Sequence, residues 1–85
     1  MTPTTLGARI AQARREMAVR EERDVTASEV AKAAGVTNTS MSEWENDKKA
    51  PREGTLAKLA DYLGVTPAYL RYGVLPGSPP LDRGM

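Results

Sequence analysis

The sequence reads as an all-α domain built from five helices. Three observations carry that reading. Apolar residues recur at spacings of three and four, as in Leu6, Ile10, Ala13, Met17 and again in Leu56, Leu59, Ala60, Leu63. Threonines stand where helices would start (Thr26, Thr37, Thr66 before Pro67), and glycines where they would stop (Gly35, Gly64, Gly73). At 85 residues the chain is one domain, whose core must come from a few well-packed helices.

Residues 1–5 show no pattern and read as a loose N-terminus or short arm. The first helix opens at Leu6 with Thr4 or Thr5 as its cap. Its end is open, because MAVREERDV holds neither Gly nor Pro and carries Glu16–Arg20 and Arg20–Asp24 at helical spacing. The helix either continues toward Arg23 or gives way to a charged loop. Thr26 with Glu29 three residues on reads as a capping box for a second helix, which turns Val30, Ala31 and Ala34 inward and stops at Gly35.

Thr37 caps a third helix that runs to about Glu45. At about 100° per residue, Met41 and Trp44 share one side, and Thr39, Ser42, Glu43 and Asn46 the other, with Asn38 beside them. Asn46 to Lys49 make a turn before Pro51. A fourth helix starts near Glu53 and stops at Gly64, and Thr66-Pro67 opens a short fifth that ends at Gly73. The segment 74–85, VLPGSPPLDRGM, is rich in Pro and Gly and should be irregular.

Thr26 to Arg52 therefore holds two short helices around a tight Gly35-Val36 turn, the layout of a helix-turn-helix, whose second helix reads the DNA major groove. The outer face of helix 3 offers hydroxyls, amides and one carboxylate, groups able to address base edges. The bland alternative is a merely solvated face. Net charge is only +1, from 12 basic and 11 acidic side chains, so any electrostatic footprint must be local; Lys48, Lys49 and Arg52 supply one.

Other functions lose support. There is no His, the commonest general base and zinc ligand, and no Cys, so no disulfide framework. The paired acids Glu21 and Glu22 have no nucleophile or Gly-rich loop beside them, and no enzyme, metal or cofactor is expected. No apolar run approaches the roughly 20 residues of a membrane span, and the start lacks the apolar core of a signal peptide, so a cytoplasmic protein with no membrane partner is expected. Trp44 reads as a core anchor. Tyr62, Tyr69 and Tyr72 read as helix packing with their hydroxyls in water, or else as a dimer surface; the REERD run reads as a solvated helix end, or else as a phosphate or partner contact.

From Leu6 to about Gly73 the chain resembles the Cro/repressor-type helix-turn-helix family, the xenobiotic-response-element class of phage and bacterial regulators. Ala31, Gly35, Met41 and Trp44 carry the resemblance, with SEWENDKKAP and the closing helices TLAKLADYLGVTPAYL. It implies a lambda-repressor-like domain over 6–73, with the helix-turn-helix formed by helices 2 and 3. Residue by residue, it implies base reading by Asn38, Thr39, Ser42 and Glu43. Asn38 suits adenine, and Glu43 suits the cytosine amino group. It implies phosphate contacts from Thr37, Ser40, Asn46, Lys48, Lys49 and Arg52, and a structural salt bridge between Arg14 and Glu45.

Four features depart from the family pattern. Ala27 stands where a phosphate-gripping Gln is usual, leaving backbone N–H groups and Ser28 for that task. Asp47 replaces the usual Gly after helix 3, the connection Val19 to Val25 is about six residues longer than usual, and helix 3 carries no Arg or Lys. The expected function is a DNA-binding transcriptional regulator, a repressor acting as a homodimer on double-stranded DNA. The alternative is a protein-interaction module of the same fold, of partner-regulator or antitoxin type.

Overall fold

The computed structural model describes residues 5–73; the expectations for the first four residues and for the segment 74–85 lie outside that range. Five helices follow in order: α1 (Leu6–Glu21), α2 (Ala27–Ala34), α3 (Asn38–Glu45), α4 (Glu53–Leu63) and α5 (Pro67–Tyr72). Their starts share one device. The hydroxyls of Thr5, Thr26, Thr37 and Thr66 each accept a hydrogen bond from the backbone N–H three residues on, satisfying a donor the helix leaves free. Helix α4 follows Arg52, which gives it no side-chain cap, and Glu53 in its first turn complements the dipole.

Helix α1 ends at Glu21. Glu22 adopts a left-handed conformation (φ 54°), and the Arg23 N–H closes back onto the Ala18 carbonyl at 3.1 Å. Neither expected pair, Glu16–Arg20 nor Arg20–Asp24, forms. Glu16 instead accepts from Gln12, while Arg20 Nη2 reaches the Leu63 carbonyl at the end of α4, 3.3 Å away. A carbonyl left open by a helix end, with its partial negative charge, outcompetes a solvated carboxylate on the same helix.

The core collects the inward faces of all five helices. Ile10, Val30, Met41, Leu56, Leu59, Leu63 and Leu70 are fully buried, with Ala13, Ala31, Ala34 and Ala60 between them as small spacers. Helix α2 packs against α3 and α4, while α1 packs against α3, α4 and α5. Trp44 lies inside, as expected. The three tyrosines divide: Tyr69 joins the core, Tyr62 is half-buried with its hydroxyl bonded, and Tyr72 is 73% exposed.

One buried cation was not expected. Arg9 lies on the apolar face of α1, only 7% exposed, donating from Nε to the Leu70 carbonyl and from Nη2 to that of Arg71, both at 2.8 Å. It satisfies the end of α5 as Arg20 satisfies the end of α4.

The capping box at Thr26 is only half made. Thr26 accepts from the Glu29 N–H, but the Glu29 carboxylate turns to Arg23, which donates from both Nη atoms at 2.8 Å, and to the Tyr62 hydroxyl. A two-pronged guanidinium bond is stronger than a single backbone N–H. The REERD run is thus folded back, tying the long α1–α2 connection to α2 and α4. The Arg23 guanidinium, then the Tyr62 hydroxyl, hold the Glu29 carboxyl down at about 2. The same carboxylate raises both the Tyr62 and the Arg23 pKa.

Gly7 fixes how closely α1 meets α3. A Cβ there would stand 2.2 Å from the Trp44 carbonyl oxygen and 2.8 Å from that of Glu45, so backbone meets backbone.

Two measurements check these contacts. Gly7→Ala should lower stability by about 3 kcal/mol, at the upper end of overpacking costs, while Gly54→Ala, with open space around the added methyl, should raise it by about 0.4–1 kcal/mol in urea unfolding. Because Glu29 titrates lower in the folded chain than its ordinary value of 4.5, its contribution is complete above pH 4.5 and is lost as pH falls toward 2. The stability difference between the parent and Glu29→Gln should therefore shrink across that window; a pH-independent difference would contradict the Arg23–Glu29–Tyr62 arrangement.

Candidate nucleic-acid interface

The turn between α2 and α3 places the candidate face. Gly35 takes the left-handed conformation, the Val36 N–H bonds the Ala31 carbonyl at 2.9 Å, and Thr37 starts α3 at once. Met41 and Trp44 then anchor α3 from inside, which turns the opposite side outward.

Two polar contacts fix the far end of α3. Arg14 meets Glu45 through two bonds, Nε to Oε2 at 3.0 Å and Nη2 to Oε1 at 3.1 Å, and its Nη1 reaches the Val25 carbonyl. One guanidinium thereby joins α1, α3 and the connection before α2. Asp47, just past α3, takes the left-handed conformation (φ 59°) that the usual Gly would take. Its carboxylate accepts from the Gly7 N–H at 2.9 Å and from the Thr5 hydroxyl at 2.7 Å. The backbone strain of a non-glycine there is offset by a negative charge at the positive end of α1.

The outward face divides into free and engaged groups. Asn38, Thr39 and Ser42 are exposed, and the side chains of Asn38 and Thr39 make no hydrogen bond among the described residues. The Asn46 amide donates back to the Ser42 carbonyl at 2.8 Å, and the Thr37 hydroxyl donates to that of Ser40 at 3.2 Å. Glu43 is half-buried, with its carboxylate 3.7 Å from Lys49 Nζ.

The cations follow directly. The backbone N–H groups of Lys48 and Lys49 both point at the Glu43 carbonyl, which wraps the loop against the end of α3 and leaves both side chains exposed. Arg52 is exposed at the start of α4. Ser28 is exposed in the first turn of α2, whereas Ala27 beside it packs against the core. Asn38, Thr39, Ser42 and Glu43 thus share one helical face, followed at once by the Lys48–Arg52 segment. Ser28 stands at the start of the other helix of the motif.

Sequence reasoning missed Asp47 and Arg9 as organising groups. For Arg9 a signal was present: a cation at the second place of the spacing Leu6, Arg9, Ile10, Ala13 lies on an apolar face and needs a buried acceptor. For Asp47 no local signal exists, because its partners lie 40 and 42 residues away.

Among known proteins, the family model described as Helix-turn-helix matches residues 17–70. The P22 c2 repressor bound to a synthetic operator is similar at 28% identity and a TM-score of 0.69, over 82% of this chain and 97% of that one. The DNA-binding domain of the same repressor in solution gives 29% identity and a TM-score of 0.67, over 93% and 96%. The SOS-response repressor LexA from Eubacterium rectale shares the fold, at 23% identity and a TM-score of 0.58, over 93% and 84%. Comparison with curated proteins yields no match. The family match spans more than half of the chain and the two repressor structures span most of it, and the chain belongs to the helix-turn-helix family in its Cro/repressor-type form.

Proposed function

We propose that this chain is a DNA-binding transcriptional regulator, a repressor that occupies a two-fold symmetric operator as a dimer, with α3 in the major groove. The observation that carries the reading is a rigidly supported α3 presenting free amide and hydroxyl groups beside a loop of exposed cations. Asn38, with its amide uncommitted, is assigned the leading base contact, to adenine N6 and N7, with Thr39, Ser42 and Glu43 reading alongside it. Lys48, Lys49 and Arg52 hold phosphates, helped by Thr37, Ser40, Asn46 and Ser28.

The P22 c2 repressor, similar over nearly its whole described length, is seen on operator DNA, which supports the choice of ligand. A helix of eight residues covers only a few base pairs, so two copies about one helical turn apart supply the specificity. The exposed Tyr72 on α5 offers apolar surface for such a pairing.

Sequences selected from a random DNA pool, followed by salt titration of selected and random duplexes, test the proposal. The selected duplex should bind orders of magnitude more tightly than random DNA, and both affinities should fall steeply with salt. Asn38→Ala should cost about 1–3 kcal/mol on the selected duplex and relax preference at one position. Lys48→Ala should weaken binding to all sequences alike and reduce the salt slope by about one per subunit. Failure to prefer any selected sequence at low salt would overturn the regulator reading in favour of a protein-interaction module.

A further inference from the structure

The two lysines after α3 are not equivalent. Lys48 has no ion-pair partner among the described residues, whereas Lys49 Nζ stands 3.7 Å from the Glu43 carboxylate. Asp47 pairs with neither lysine among the described residues; its two oxygens accept from the Thr5 hydroxyl and the Gly7 N–H. Glu43 is therefore the acid placed among the cations of the reading surface, on the face it shares with Thr39 and Ser42.

A carboxylate oxygen and a phosphate oxygen are equivalent partners for an ammonium group. A single pair of this exposure and length is weak, so a DNA phosphate can displace it. Displacement, however, leaves Glu43 uncompensated against a polyanion. That state is unfavourable unless the carboxylate gains a donor; of the two amino groups in the major groove, cytosine N4 suits a carboxylate best, because adenine N6 stands beside the N7 acceptor.

We infer that the Glu43–Lys49 pair couples base reading to phosphate grip, making Glu43 a specificity determinant that acts chiefly by rejecting unmatched DNA. This rests on the DNA-binding reading above. On random DNA, Lys49 stays on Glu43 and one phosphate contact per subunit is withheld. On a matched sequence, Glu43 accepts from cytosine and Lys49 is released to a phosphate. The internal ion pair thus stands in for the phosphate until the base is right.

The salt dependence of binding reads this directly, because each phosphate contact adds about 0.9 to the slope of log affinity against log salt. Parent protein, Glu43→Gln, Lys49→Ala and the double variant are titrated on a random duplex and on the duplex selected by the parent. Thermal unfolding of each variant checks that the fold is retained; the Glu43 carbonyl that caps the loop is unchanged by either substitution. Glu43→Gln should bind random DNA about three- to tenfold more tightly, with a slope steeper by about one per subunit, while losing affinity for the selected duplex. Lys49→Ala should lower the slope on the selected duplex and leave that on random DNA near the parent value. The double variant should return the random-DNA slope to that of the parent.

Equal changes on both duplexes in Glu43→Gln, or an unchanged slope on random DNA, would overturn the coupling while leaving the regulator reading intact. Absence of salt-dependent binding by the parent protein would instead remove the regulator reading itself.

Discussion

The placement of α3 depends on one carboxylate that serves two helices. Eight residues make about 12 Å of helix, too short to hold together in water without tertiary support. Met41 and Trp44 supply the apolar part of that support, but apolar packing alone is non-directional. Direction comes from Asp47, which ends α3 in a left-handed turn and then reaches the first turn of α1, and from the Arg14–Glu45 fork half a turn earlier. With Gly7 allowing the two backbones to touch, the end of α3 and the start of α1 are held as one unit. The outward groups inherit their positions from it.

Much of this was legible in the sequence, and the division follows interaction range. Threonine caps, glycine stops and the three-and-four spacing act within a turn or two, so all five helices and the inward residues Ile10, Val30, Met41, Leu59 and Leu63 could be read directly. The face holding Asn38, Thr39 and Ser42 followed from helical geometry once Trp44 was assigned to the interior. What could not be read were contacts between residues far apart in the chain. Arg9 on the end of α5 and Arg20 on the end of α4 depend on how the helices come together. Glu29 shows a related limit: a local rule pairs its carboxylate with the Thr26 N–H, and stronger donors take it instead, Arg23 six residues earlier and the Tyr62 hydroxyl from α4.

The formal count of charges likewise hides how individual cations are used. Arg9, Arg14, Arg20 and Arg23 are occupied with carbonyls and carboxylates of the protein itself. These arginines hold the fold together; Arg9 is buried and Arg14 is paired with Glu45, so neither is what an approaching anion first meets. The exposed cations next to α3 are few, Lys48, Lys49 and Arg52, and they are concentrated on one side. For a chain of this size, a formal sum near zero is compatible with a strongly one-sided surface.

The backbone contact at Gly7 bears on how such a domain can change its target. Where helices meet through side chains, their separation drifts with every change in side-chain volume. Here α1 and α3 meet backbone to backbone, so their closest approach is set by a position that admits no side chain. The outward residues Asn38, Thr39 and Ser42 are exposed, and among the described residues their side chains make no hydrogen bond except that of Ser42 with Asn46 on the same face. Reading surface and scaffold are thereby separable, and a retargeted variant can be sought by recoding three or four outward positions while Gly7, Trp44 and Asp47 are left untouched.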